Sequence, residues 1–87
     1  MMHTVELLEA AISLARSSGF VVRQDWFGGF SAGACEFQGR RWMFIDLALS
    51  PREQLEQVAE GLRGIVHVPQ GEVPPQLHAM LNSRKAA

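Results

Sequence analysis

The segment Ser50-Pro51-Arg52-Glu53 constrains the fold of this chain more than any other, because it combines three signals for the start of a helix. The hydroxyl of Ser50 can accept a hydrogen bond from the first turn, and Glu53 can reach back to the backbone of Ser50 to complete a capping box. Pro51 suits the first helical position, where no backbone N–H is needed. We therefore expect a helix that starts here, directly after a strand.

The residues that follow form a single apolar stripe, which is typical of a helix packed on a core. The stripe repeats at the spacing i, i+3, i+4 and i+7, at Leu55, Val58, Ala59 and Leu62. Gly64 is the expected end of this helix. A first helix, capped by Thr4 and stopped by Ser17 to Gly19, and a short last helix over Gln76–Asn82 are expected on similar grounds.

Three segments between the first two helices are rich in β-branched and aromatic residues and are bounded by turn residues. The expected strands are Phe20–Asp25, Ala34–Gln38 and Arg41–Leu47. Gly39 separates the last two, so we expect a hairpin with a tight turn in which Gly39 has a positive φ. A short extended piece is expected at Ile65–Val68.

The last of these strands is apolar on both faces. Alternation about a two-residue turn divides the hairpin side chains into one set of Cys35, Phe37, Trp42, Phe44 and Asp46 and another of Glu36, Met43, Ile45 and Leu47. A strand with two apolar faces is typical of the centre of a sheet, covered by helices or by a helix and a second subunit. We therefore expect it to be the central strand.

These elements predict an α+β fold in the order α-β-β-β-α-α, with a three-stranded antiparallel sheet covered by helices. A chain of 87 residues buries only about 60–65% of the surface that it exposes when unfolded, which is enough for one core. We expect a single α+β domain over residues 1–82 and a flexible C-terminal tail over residues 83–87.

Charge and cysteine content narrow the functional classes. Eight basic and nine acidic residues give a net charge of −1, so nucleic acid is not an expected partner. No apolar run approaches the roughly 20 residues that span a bilayer, and no membrane association is expected. The single cysteine, Cys35, cannot form an internal disulfide, which is typical of a reducing compartment. The sequence therefore predicts a cytoplasmic protein.

The oddest segment is Trp26-Phe27-Gly28-Gly29-Phe30, where three large aromatic residues flank two glycines in a loop. The rings can fold back over their own sheet, or they can anchor a partner, because rigid aromatic side chains stabilise interfaces efficiently. The glycines are not a phosphate-binding loop, since there is no GxGxxG spacing and no following lysine. We expect an interaction surface formed by Trp26, Phe27 and Phe30, together with an exposed face holding Met43 and Ile45.

Cys35 supports an alternative in which the protein is a thiol-dependent or small-molecule-binding enzyme. Asp46 and His67 could approach the thiol in space and activate it. The opposing interpretation is a packed core thiol, because unpaired cysteines are among the most buried residues. The sequence leans toward this second interpretation and hence toward a non-enzymatic protein.

Other charged groups give weaker signals. The histidines His3, His67 and His78 lie too far apart for a metal pair, so neither a metal nor another cofactor is predicted. The acidic residues Glu53, Glu56 and Glu60 share one helix face that is best explained as solvated. A nucleic-acid accessory role through Arg23, Arg40 and Arg41 is the weakest of the functional hypotheses.

Two resemblances bear on the family. Gly33 to Arg41, Phe44 to Leu47 and Leu49 to Gln54 resemble a small bacterial protein family of unknown function, in which a Gly-Gly-x-Cys hairpin and a short apolar strand precede a Leu-Pro-x-Glu-Glu helix start. Here Ala32-Gly33 stands where that family has two glycines. This resemblance implies a bacterial protein and no particular activity.

The passage from the last strand through Leu62 is also distantly similar to the strand-to-helix passage of antirepressor-type zinc peptidases. In that family the helix carries HExxH, whereas this chain has Glu60 and Gly64 at the positions of the two histidines and Gly61 at that of the glutamate. The resemblance implies a shared scaffold that cannot bind zinc in this way. The function predicted from the sequence is thus a non-enzymatic interaction or assembly module whose partner is a second copy or another protein.

Overall fold

A computed structural model describes residues 3–28, 33–63 and 71–82. The elements are α1 (Thr4–Ser17), β1 (Phe20–Asp25), β2 (Gly33–Phe37), β3 (Arg40–Asp46), α2 (Pro51–Leu62) and α3 (Pro75–Asn82). This arrangement confirms the α+β class and the expected order of elements. Several predictions lie outside the described residues: Phe30, the stop at Gly64, the extended piece at Ile65–Val68 with His67, and the tail over residues 83–87.

The three strands form one mixed sheet in the order β1-β3-β2. β3 is antiparallel to β2 but parallel to β1, so the prediction of a purely antiparallel sheet is wrong. Parallel neighbours need a crossover of a dozen or more residues, and here residues 26–39, including β2 itself, supply it. β2 forms the other edge of the sheet and runs in the opposite direction to β1. β3 then lies between β1 and β2, which confirms it as the central strand.

A two-residue turn joins β2 to β3. Gln38 and Gly39 both have a positive φ, of 52° and 76°, which is the type I′ conformation favoured in hairpins. Phe37 and Arg40 are therefore the pair that closes the turn. The positive φ of Gly39 is confirmed, and the expected strand boundaries are wrong by one residue because Gln38 belongs to the turn.

The start of α2 is the predicted capping box. The backbone N–H of Glu53 donates to the hydroxyl of Ser50 at 3.2 Å, and the backbone N–H of Ser50 donates to a carboxylate oxygen of Glu53 at 3.1 Å. The prediction for α1 is wrong in detail, because Thr4 is already helical and His3 is the N-cap, without a side-chain cap. The backbone carbonyl of His3 accepts the first helical hydrogen bond, from Leu7 at 3.0 Å.

The core lies between the helices and one face of the sheet. Met43 and Ile45 of β3 are both 0% exposed there, in a cluster with apolar residues of all three helices. Gly61 allows α2 to approach the sheet closely, since a Cβ at this position would lie 2.8 Å from Cε of Met43 and 3.1 Å from Cβ of Ala34. The expectation that Met43 and Ile45 belong to an exposed face is therefore wrong: the helices cover this side of β3.

Candidate interaction surface on the open sheet face

The opposite side of the sheet is covered by none of the described helices. The register places Val21 of β1 and Cys35 of β2 beside Trp42 of β3, on the same face. Arg23 lies beside Phe44 in the next row. We call this side the open face and define it by the side chains of Val21, Arg23, Cys35, Phe37, Trp42 and Phe44, with Phe27 packed against it.

Three aromatic rings form the centre of the open face. The rings of Trp42 and Phe44 are stacked, with centroids 5.7 Å apart and planes only 4° from parallel. Phe27 meets Phe44 edge-on, with centroids 5.8 Å apart and an interplanar angle of 88°. Both geometries are favourable for aromatic pairs. All three residues are half-buried, so the cluster is ordered by its own contacts and still has surface available.

Asp46 holds Phe27 in this position. One carboxylate oxygen of Asp46 accepts hydrogen bonds from the backbone N–H of Phe27 at 3.0 Å and from that of Ala48 at 2.9 Å. Asp46 is fully buried, and a buried carboxylate requires such partners. The loop that leaves β1 is therefore fastened across the end of β3.

Trp26 directly follows the end of β1 and is exposed. A carboxylate oxygen of Asp25 accepts a hydrogen bond of 2.8 Å from the backbone N–H of Trp26, and the other oxygen lies 3.4 Å from the guanidinium of Arg23. The Trp26 residue is 71% exposed. Its ring thus stands outside the aromatic cluster, next to the end of the sheet.

A groove of about 560 Å³ runs over the open face. Phe27, Trp42, Phe44 and Phe37 supply its apolar lining, and Cys35 also borders it. Phe37 is 62% exposed, and the charged groups at the margins come from Arg23, Asp25 and Glu36. An apolar floor with a charged rim is the usual composition of a protein interface.

Trp42 carries an unusual polar atom within this surface. Its indole Nε1 is buried and has no hydrogen-bond partner among the described residues. An unpaired buried donor costs roughly 1–3 kcal/mol. Trp42 thus stacks on Phe44 in a position that leaves its indole N–H without a hydrogen bond among the described residues.

The residues of the interaction surface predicted from the sequence do not lie together in the structure. Trp26 is exposed and Phe27 packs on the open face, whereas Met43 and Ile45 lie in the core. The sequence prediction missed Phe37, Trp42 and Phe44 as members of the surface. One signal in the sequence pointed to this face: the alternate residues Arg23 and Asp25 of β1 are charged, which is typical of a side that faces solvent. That signal identifies the Phe44 side of β3 as the open one only when the parallel register of β1 with β3 is known.

The structure does not assemble the predicted thiol site among the described residues. Cys35 is exposed, so the expectation of a packed core thiol is wrong. It lies opposite Trp42, four residues from Asp46 along β3, which is about 13 Å at the usual rise of a strand. Asp46 is instead engaged with the backbone of Phe27 and Ala48, and His67 lies outside the described residues.

The remaining charged candidates stay apart. The described residues contain no group of three or more histidine, cysteine or acidic side chains that could hold a metal ion. Arg40 and Arg41 point to opposite faces of β3, and Arg23 is paired with Asp25, so these three do not form one basic patch. Glu56 pairs with Arg52 at 3.2 Å on the exposed side of α2.

No helix within the described ranges has the length and apolarity needed to cross a membrane. Comparison with known proteins gives no match of this chain to a protein-family model, to a curated protein or to a solved structure.

Proposed function

We propose that the protein is a non-enzymatic interaction or assembly module that binds a partner protein through the open face. The observation that carries this proposal is the ordered cluster of Phe27, Trp42 and Phe44 beside the exposed ring of Phe37. Contiguous aromatic surface is rarely left in water by a monomeric protein without a function. A partner that covered these rings would bury apolar area at little cost in side-chain entropy.

The setting proposed for this module is the bacterial cytoplasm. The bacterial origin is implied by the family resemblance of the Gly33 to Arg41 hairpin, and the single thiol of Cys35 is suited to a reducing compartment. The partner is a second copy or another protein, with no role for nucleic acid or a membrane.

Site-specific photocrosslinking tests this proposal. Benzoylphenylalanine replaces Phe37 on the open face, and in a matched control it replaces Val5, which is an apolar residue of α1 that is 51% exposed. On irradiation in cells, the variant at position 37 is expected to give a discrete adduct that mass spectrometry assigns to one protein. Adducts at position 37 that do not exceed those at position 5 would refute the proposal.

A second candidate function follows from the exposure of Cys35 beside the groove. In this alternative, the protein binds an apolar small molecule there or uses the thiol in catalysis. Labelling of the native protein with a thiol reagent tests the catalytic form of this alternative. An activated thiolate at Cys35 reacts much faster than the thiol of a peptide with the same local sequence. Equal rates would remove the catalytic form of this alternative.

A further inference from the structure

β2 is an edge strand, and its outer edge has no partner among the described residues. Ala34, Cys35, Glu36 and Phe37 are all exposed, and the described backbone hydrogen bonds of this strand all run to β3. An open edge presents a row of unpaired N–H and C=O groups that can pair with another strand.

The hairpin fixes which residues of β2 offer these groups. The pair that closes a two-residue turn, Phe37 with Arg40, is hydrogen-bonded, and hydrogen-bonded pairs alternate along an antiparallel ladder. Phe37, Cys35 and Gly33 therefore direct their N–H and C=O groups toward β3. Ala34 and Glu36 direct theirs outward.

We propose that β2 pairs antiparallel with β2 of a second copy about a two-fold axis at Cys35. In this register Ala34 of each copy forms a hydrogen-bonded pair with Glu36 of the partner subunit, so all the outward groups of these two residues are used. The two Cys35 residues become a non-hydrogen-bonded pair, whose Cα atoms are about 4.5 Å apart. The result is a six-stranded sheet in which the two open faces are continuous.

Side-chain chemistry favours this register over its neighbours. A shift that centres the axis on Glu36 would place two carboxylates directly opposite each other, which is destabilising. A shift that centres it on Ala34 would place Phe37 beyond Gly33, the first described residue of β2 in the partner subunit. With the axis at Cys35, the ring of Phe37 lies across from Gly33 of the partner subunit, where no side chain competes for space, and an aromatic side chain protects an edge glycine.

The other edge of the sheet is less suited to this pairing. β1 ends in Arg23, Gln24 and Asp25, and charged side chains protect edge strands from association. Pairing of β1 with β2 of another copy would also leave one edge free at each end and would grow into a polymer. Pairing of β2 with itself closes after two copies.

The expected dimer is weak until it is cross-linked. Five residues of edge strand bury much less than the roughly 800 Å² per partner of a standard interface. Oxidation would lock the pair, since disulfides form between Cα atoms about 4.4–6.8 Å apart. The two thiols lose two protons and two electrons to oxidised glutathione, which is reduced to two molecules of glutathione.

Disulfide trapping with oxidised glutathione tests the register. The wild type is expected to form a covalent dimer through Cys35. In a Cys35→Ala background, a mixture of the Ala34→Cys and Glu36→Cys variants should form the mixed dimer about tenfold faster than either variant alone forms its own dimer, because like positions lie about 8 Å apart, beyond disulfide reach. Circular dichroism of each variant verifies that it is folded.

The outcomes separate edge pairing from random collision. A mixed dimer that forms no faster than the two self-dimers would overturn the proposed register, even if Cys35 cross-links in the wild type. Absence of any covalent dimer would overturn the pairing itself. Edge pairing goes beyond the proposed function and can fail separately, since a photocrosslink from position 37 to a different protein would still support a partner on the open face.

Discussion

A carboxylate oxygen of Asp46 accepts a hydrogen bond of 3.0 Å from the backbone N–H of Phe27, 19 residues earlier in the chain. The same oxygen accepts from Ala48 at 2.9 Å. One buried side chain therefore fixes both the loop after β1 and the turn after β3. The ring of Phe27, whose backbone this hydrogen bond holds, meets Phe44 edge-on.

Replacement of Asp46 tests this role. Asp46→Ala leaves two backbone donors without their acceptor and should lower the free energy of unfolding by about 2–3 kcal/mol. Asp46→Asn is the matched control, since it keeps an accepting oxygen in nearly the same place and should lose less. Urea denaturation followed by fluorescence gives both values. Equal losses in the two variants would show that the charge, and not the accepting oxygen, holds the loop.

Gly61 should resist substitution although it lies within a helix. Gly61→Ala gains up to about 1 kcal/mol of helix propensity, but its Cβ would lie 2.8 Å from Cε of Met43, and overpacking typically costs about 1–3 kcal/mol. We expect a net loss of about 1 kcal/mol in denaturant unfolding, at the middle of these ranges. The cost should be smaller in a Met43→Leu background, which removes the contacting methyl group. An increase in stability in the wild-type background would show that the end of the Met43 side chain moves aside and that the contact carries no net cost.

The capping box should contribute measurably to stability. Ser50→Ala removes the oxygen that accepts from the backbone N–H of Glu53 at 3.2 Å and should cost about 1 kcal/mol. Ser13→Ala serves as control, because Ser13 is exposed within α1 and should change stability by less than about 0.5 kcal/mol. Thermal or urea unfolding distinguishes the two. Similar effects at both positions would argue against a specific cap.

The capping box also makes stability depend on pH. The hydrogen bond from the backbone N–H of Ser50 lowers the pKa of Glu53 from 4.5, with a further contribution from the Ser50 side chain. A carboxyl group whose pKa is lowered by folding stabilises the protein above its unfolded pKa, and this stabilisation is lost as the pH falls through the folded pKa. Glu53→Gln should therefore show a smaller loss of stability on acidification than the wild type does. NMR titration of the Glu53 carboxyl carbon measures the pKa directly, and a value at or above 4.5 would contradict the prediction.

Local signals in the sequence predicted the elements well. The range of β1 is confirmed at both ends, and so are the capping box at Ser50 and the positive φ of Gly39. Each depends on a few adjacent residues whose conformational preferences agree. The exception at Thr4 arose because a residue suited to capping is equally able to occupy the first helical turn.

Relations between distant elements were harder to predict. The parallel pairing of β1 with β3 joins strands that are 15 or more residues apart in the chain, and the hydrogen bond from Phe27 to Asp46 that accompanies it joins residues 19 apart. Alternation correctly separated Met43 and Ile45 from Trp42 and Phe44, but both sets are apolar. The helices cover the side of Met43 and Ile45, where Gly61 of α2 approaches the sheet closely, and the strand pattern does not contain that information.

The central position of β3 has a consequence for the behaviour of the backbone amides. Those of Met43 and Ile45 are flanked by a strand on either side and should exchange with deuterium only when the whole domain opens. The amides of Ala34 and Glu36 face outward on β2 and should exchange rapidly in a lone copy. A single deuterium-labelling time course thus measures two properties of the protein. The amides of Met43 and Ile45 report the rate of global opening, and those of Ala34 and Glu36 report whether the outer edge of β2 is paired.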